Sequence, residues 1–211
     1  MNDSNKPIWF NKQKKEMKNN DVVIFPTLIN LVEDFLTENQ CKDIIKFARK
    51  KKYKPHKAMA GDAISNHGID DTILLDIKKN VKSCKDIEDN LFIFINEYLN
   101  KVALTPVKLT NSWINFQKKG STLLPHTHPG NSISGVMYLN VDENSSHISF
   151  HNPNPFSNFM NKKGQSYFNC DFQTIEPKNG CLIIFPSWLQ HSSGFSINQS
   201  EERVALSFNA R

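Results

Sequence analysis

This 211-residue chain has four cysteines, and no two of them are spaced C-x-x-C. Cys41, Cys84, Cys170 and Cys181 are too scattered for a disulfide framework, and a reducing cytosol suits them better. Long apolar runs are also missing. None is longer than Cys181–Phe185, against about 20 residues for a membrane span. The N-terminus carries lysines but no apolar stretch of the kind that forms a secretory signal. A cytoplasmic protein with no membrane partner is therefore expected. Charge of one sign is in short supply too, with 26 basic and 21 acidic residues giving a net +5. That excess is too mild to imply nucleic acid. The basic run from Lys46 to Lys57 lacks the interleaved aromatics of a single-strand binder and reads as a solvated helix end. No internal repeat is visible, which argues against a solenoid.

What is present falls into three stretches. Residues 1–20 are polar and lysine-rich (Lys6, Lys12, Lys14, Lys15, Lys18) and read as a flexible basic tail, with Trp9 and Phe10 available to dock on the body. Residues 21–211 read as one domain. Val22–Leu28 suggests an edge strand containing Pro26. Thr37-Glu-Asn-Gln40 is a capping box. It predicts a helix that buries Cys41, Ile44, Ile45, Phe47 and Ala48. A second helix is predicted from about Lys85 to Val102, with Ile87, Leu91, Ile95, Tyr98, Leu99 and Val102 at helical spacing.

From Thr110 onward short alternating segments take over, with strands expected at 112–117, 133–141, 146–150, 181–185 and 203–209. The fold class is mainly β with flanking α, a double-sheet roll buttressed by two N-terminal helices. Residues 151–170, rich in Pro and Asn and without period, form a candidate substrate lid.

The chemistry concentrates in four residues. His126 and His128 are two apart, so in an extended segment both imidazoles face one way. Pro125 and Pro129 bracket them, and a proline biases its preceding residue to extended geometry. His191 follows a hydrophobic strand broken by Pro186. Three imidazoles can hold a transition metal in a facial set, in place of the common two-histidine, one-carboxylate arrangement of non-haem iron. Arg203 begins a strand whose polar face continues through Ala205, Ser207 and Asn209. Its guanidinium fork suits a carboxylate, and Tyr138 can donate its hydroxyl to the same group. Together these point to an oxygen-activating iron enzyme. Ser207 is taken as a further cosubstrate contact, and Trp113, Asn115, Ser134 and Asn209 as candidate pocket lining. Trp188 is expected to pack around the metal mouth. His147 and His151 are expected to line the cavity or face solvent rather than to ligate.

H-T-H-P-G-N-S-I-S-G-V-M-Y-L-N, H-I-S-F-H-N-P, G-C-L-I-I-F-P-S-W-L-Q-H and E-E-R-V-A-L-S-F-N together resemble the 2-oxoglutarate/Fe(II) oxygenase family related to prolyl 4-hydroxylases, a type frequent in marine bacteria and their phages. The resemblance is strong over residues 110–211 and holds only by layout over 22–105. It implies a double-stranded β-helix (jelly-roll, cupin-like). Fe(II), 2-oxoglutarate as cosubstrate and O2 would be the cofactors, and a small molecule or peptide the substrate, with prolyl hydroxylation favoured by analogy. On that resemblance His126 and His191 are the proximal and distal metal ligands. Arg203 anchors 2-oxoglutarate with help from Tyr138, and His128 stands where the wider superfamily has Asp. Two other readings remain open: a three-histidine dioxygenase that needs no 2-oxoglutarate, and a non-catalytic β-roll holding a structural metal or none.

Overall fold

A computed structural model describes residues 25–154, 156, 162–164, 166, 168–194 and 196–211. The basic tail, with Trp9 and Phe10, lies outside these residues, as does part of the 151–170 loop.

The Thr37 cap forms as its sequence predicts. The Gln40 amide N–H donates to Thr37 Oγ1 at 3.3 Å, and Gln40 Oε1 accepts from the Thr37 N–H at 2.9 Å. This starts helix α1, Glu38–Ala48, which buries Cys41, Ile44 and Ala48, while Ile45 and Phe47 stay half-buried at its margin. Helix α3, Ile87–Lys101, buries Ile87, Leu91, Ile95, Tyr98 and Leu99, a stripe at the period of an α-helix. Between them lies a helix that the sequence reading missed: α2, Ile73–Asn80. It is short, and Thr72 makes no side-chain capping bond, so neither a cap nor several turns of periodicity announce it. The buttress is therefore three helices rather than two.

A short strand lies just after the expected N-terminal one. Of the expected Val22–Leu28 strand, residues 22–24 lie outside the described residues and residues 25–28 are not a strand, while β1 is Asn30–Val32. The remaining strands are β2 (Lys54–Pro55), β3 (Met59–Ala60), β4 (Ala63–Ser65), β5 (Leu109–Lys118), β6 (Thr122–Leu123), β7 (Ile133–Asn140), β8 (Ile148–His151), β9 (Phe172–Ile175), β10 (Leu182–Pro186), β11 (His191–Ser192) and β12 (Glu202–Ala210). The five strands expected after Thr110 correspond to β5, β7, β8, β10 and β12. Those not foreseen are mostly two to four residues long, too short for period-two alternation to register.

A seven-stranded antiparallel sheet runs β1-β10-β7-β12-β5-β4-β2, and a three-stranded sheet runs β11-β8-β9. Alternation along the central strands sorts side chains between the two faces. Ile114, Phe116, Met137, Leu139, Leu182, Ile184, Val204 and Leu206 meet the helices in one core. Val136, Tyr138, Ile183, Phe185 and Ala205 turn the other way, toward Ile148 and Phe150 of the small sheet. The cavity opens between the two sheets. Within the large sheet Gly135 leaves room for its cross-strand neighbour: the Phe208 ring of β12 lies directly against it, where an added Cβ would collide, and Ile183 O of β10 would be only 2.9 Å away.

The lysine-rich run does not behave as one solvated end. Arg49 pairs with Glu202, Lys51 with Asp70 and Asp76, and Lys57 joins the cavity wall. Both ends of the 151–170 loop are pinned, since Asn152 N–H donates to Asp171 O and Asn152 Nδ2 to Cys170 O, each at 2.8 Å.

Candidate metal centre and cosubstrate pocket

The histidine segment docks on the small sheet through its backbone. His126 and His191 exchange reciprocal N–H···O bonds of 3.0 Å. His191 already pairs with Phe150 on its other side. Two residues on, the His128 N–H donates to Ser187 O at 2.9 Å. One face of this ladder thus carries all three imidazoles.

Their outer nitrogens are fixed. His126 Nδ1 lies 2.8 Å from Leu124 O, and His191 Nδ1 lies 3.0 Å from Leu189 O. A carbonyl only accepts, so each Nδ1 carries the proton and each Nε2 presents its lone pair inward. His128 Nε2 lies 3.3 Å from His191 Nε2. Two nitrogens bound to one metal at about 2.1 Å, at angles between octahedral and tetrahedral, lie roughly 3.0–3.4 Å apart. One ring nitrogen of each histidine lies within 4.8 Å of the others. The set therefore fits a first-row divalent metal, with the cavity on its open side. Burial, reinforced by neighbouring imidazoles, holds His128 and His191 at about 3. Burial also lowers His126. All three stay neutral at physiological pH, as metal ligands must.

A cavity of about 230 Å³ extends from this group; among the described residues its lining includes six of the seven histidines but no Asp or Glu. Arg203 stands in it, only 5% exposed. Nε donates to Ser146 O at 3.1 Å and Nη1 to Gln117 Oε1 at 2.5 Å. The guanidinium carbon sits 4.9 Å from the centre of the Tyr138 ring. Among the described residues no carboxylate pairs with it. Three N–H groups of the fork are left over. Close by are buried polar atoms without partners, Gln117 Nε2, Ser146 Oγ and Asn115 Oδ1. Buried polar groups are ordinarily paired, and Gln117 Nε2 and the Ser146 hydroxyl are donors that, with the Arg203 fork, suit an anionic ligand, whereas Asn115 Oδ1 can only accept. Burial pushes the Tyr138 phenol up to about 12, which keeps it a neutral donor.

Trp113, Asn115, Tyr138 and Ser207 all line the cavity. Ser134 and Asn209 do not: Ser134 Oγ donates to Asn209 Oδ1 at 2.7 Å and shares a 2.8 Å contact with Ser187 Oγ, while Asn209 Nδ2 donates to Asn111 Oδ1. They form a polar brace beneath Ser187, whose carbonyl holds His128. Trp188 is 57% exposed and is not part of the wall. His147 lines the cavity, and His151 instead contacts Ser192 Oγ at 2.8 Å. The sequence reading missed His56, His67 and Gln117. Gln117 was readable, because it shares the alternating face of Trp113 and Asn115. His56 and His67 lie in a loop and carried no signal.

Residues 111–209 match the family described as "Putative 2OG-Fe(II) oxygenase". No curated protein matches the chain. Solved structures share its fold. A Pseudomonas putida prolyl-4-hydroxylase aligns with a TM-score of 0.56 and 16% identity over 88% of this chain and 92% of that one. The viral collagen prolyl hydroxylase of Paramecium Bursaria Chlorella virus-1, in complex with 2OG, gives 0.54 and 15% over 87% and 95%. HygX from Streptomyces hygroscopicus, with nickel and 2-oxoglutarate bound, gives 0.58 and 10% over 87% and 82%. The architecture is the double-stranded β-helix of the non-haem iron(II) oxygenases. Residues 111–209 of the β-roll are similar to the 2-oxoglutarate/Fe(II) oxygenase family whose model they match.

Proposed function

We propose that the protein is a 2-oxoglutarate-dependent hydroxylase with a three-histidine iron centre. The observation that carries this is the buried Arg203 fork, without a carboxylate partner among the described residues, in the same cavity as His126, His128 and His191. A structural metal site would be closed by its protein ligands, whereas here the metal group opens onto a cavity with an anion anchor. A dioxygenase that needs no 2-oxoglutarate gives no reason for the buried cation.

His126, His128 and His191 would hold iron(II). Arg203 would bind the far carboxylate of 2-oxoglutarate, with Tyr138 and Ser207 beside it. When bound, the pair supplies oxidative decarboxylation of 2-oxoglutarate by O2 to succinate and CO2, coupled to hydroxylation of a substrate C–H bond. The chain contributes position and exclusion of water. Tyr138 stays protonated and can only donate to the carboxylate. Leu124 O and Leu189 O keep their imidazoles in the tautomer that ligates. Replacing a ligating carboxylate by a third neutral imidazole leaves the site one unit more positive, which favours a dianionic cosubstrate. The substrate is proposed to be a peptide or a small molecule.

The test is anaerobic titration of the Fe(II)-loaded protein with 2-oxoglutarate, following the weak visible charge-transfer absorption. A saturable band that is absent in His191→Ala is expected. Stoichiometric iron with no band would exclude the proposal, and no iron bound would favour a non-catalytic β-roll.

A further inference from the structure

The cavity has a second cationic end. β2 pairs with β4, β4 pairs with β5, and β3 pairs with β6, which leads into the histidine segment. The chain between Lys54 and Gly68 is thereby drawn across the mouth. It brings His56, Lys57 and His67 into the cavity wall. The rings form a continuous series outward from the metal group: His128 to Trp113 at 5.7 Å, Trp113 to His67 at 4.7 Å, and His67 to His56 at 5.1 Å between centroids. His56 Nδ1 accepts from the Ala58 N–H at 3.2 Å, so its remaining proton is on Nε2. Among the described residues, neither the Lys57 ammonium nor the His67 ring has a hydrogen-bond or ion-pair partner.

This cluster is distinct from the cosubstrate anchor. Trp113 and Gln117 are four residues apart on one face of β5, about 13 Å. Gln117 holds Arg203, and Trp113 touches His67 and His128. A 2-oxoglutarate running from the metal to Arg203 would fill the inner end and neutralise its charge. Among the described residues no Asp or Glu lines the cavity, so none of them balances Lys57.

We propose that the substrate carries an oxyanion, a carboxylate or a phosphate, that is held at the mouth by Lys57 with N–H donation from His56 and His67. This rests on the oxygenase reading for what occupies the inner end, but not for the existence of the mouth site. Lys57 acts as a point charge on a flexible stem, which suits an anion that must arrive and leave. The two imidazoles, backed by Trp113, set its position.

The experiment uses the full-length, metal-free protein with isotopically labelled histidine. Inorganic phosphate and acetate are titrated at fixed pH and ionic strength, with chloride as control, while the ring signals of His56 and His67 are followed by NMR. His56→Gln and His67→Gln assign those signals. Saturable shifts with an oxyanion but not with chloride, at least fivefold weaker in Lys57→Gln, are expected. Tighter phosphate binding would point to a phosphate-bearing substrate, and tighter acetate binding to a carboxylate. A linear drift, an equal response to chloride, or no change in Lys57→Gln would overturn the proposal. Lys57 is exposed, so its variant should fold. Nickel-loaded Lys57→Gln should bind 2-oxoglutarate as the wild type does. Failure of 2-oxoglutarate to bind wild type while the mouth still saturates would count against the oxygenase reading alone.

Discussion

Arg203 offers a test in which protein and ligand are altered together. Two of its N–H groups are spent on Ser146 O and Gln117 Oε1, leaving three for a ligand. Two charge-assisted hydrogen bonds to a carboxylate contribute about 1.5–3 kcal/mol each, and the site is dry enough that solvent does not screen them away. Allowing for the cosubstrate's own desolvation, about 3–5 kcal/mol depends on the fork. At roughly 1.4 kcal/mol per tenfold in affinity, that is about a hundredfold to a few thousandfold. Wild-type protein loaded with nickel should therefore bind 2-oxoglutarate tighter than 2-oxobutyrate by that factor, since the second ligand keeps the keto-acid end and lacks the distal carboxylate. In Arg203→Met the preference should collapse to nearly one, with 2-oxobutyrate affinity little changed. Arg203→Lys should recover only part of it, because a point charge replaces the fork. Calorimetric titration of both ligands into all three proteins gives the complete cycle. A wild-type preference below tenfold, or one that persists in Arg203→Met, would refute the anchor.

Other expectations follow from the same geometry. His191→Ala should lower nickel or iron(II) affinity at least a hundredfold by calorimetry, more than a mutation in the supporting shell, which typically costs tenfold to a hundredfold. Burial pushes the Glu202 carboxyl up, but hydrogen bonds and attraction from Lys118 and Arg49 outweigh it and hold the group below its usual 4.5. A lowered folded value contributes stability above the unfolded value that is lost as pH falls through the folded one. Glu202→Gln should therefore cost about 1–2 kcal/mol in urea unfolding at pH 7, with the gap closing as pH drops below about 4.5. An equal gap at pH 7 and pH 3 would contradict this. Gly135→Ala should destabilise by about 1–3 kcal/mol through the Phe208 clash, and Phe208→Leu should recover part of the loss in thermal unfolding.

The β-roll was readable because its central strands bury both faces with different chemistry. Val204 and Leu206 go to the helices, while Arg203, Ala205 and Ser207 go to the cavity, so alternation reveals both the strand and the site. The histidine cluster was legible for a related reason, because His126 and His128 share a face whenever their segment is extended. Ser134 and Asn209 show where alternation stops being informative: both lie on faces that a strand pattern points inward, yet they are spent on each other. The lysine run misled because composition cannot see partners. Glu202 and Asp76, which take up Arg49 and Lys51, are 153 and 25 residues further along. His56 and His67 gain their meaning only from the β2–β4 pairing that folds their loop over the mouth.

The reciprocal backbone bonds between His126 and His191 are made by peptide groups, so they exist whether or not anything is ligated. The histidines proposed as ligands are thus brought together by backbone pairing rather than by a metal. On the proposed reading, the chain should survive removal of the metal by chelation as an intact empty vessel. Recovery would then be a matter of refilling at the rate of metal capture, with no refolding step in the way.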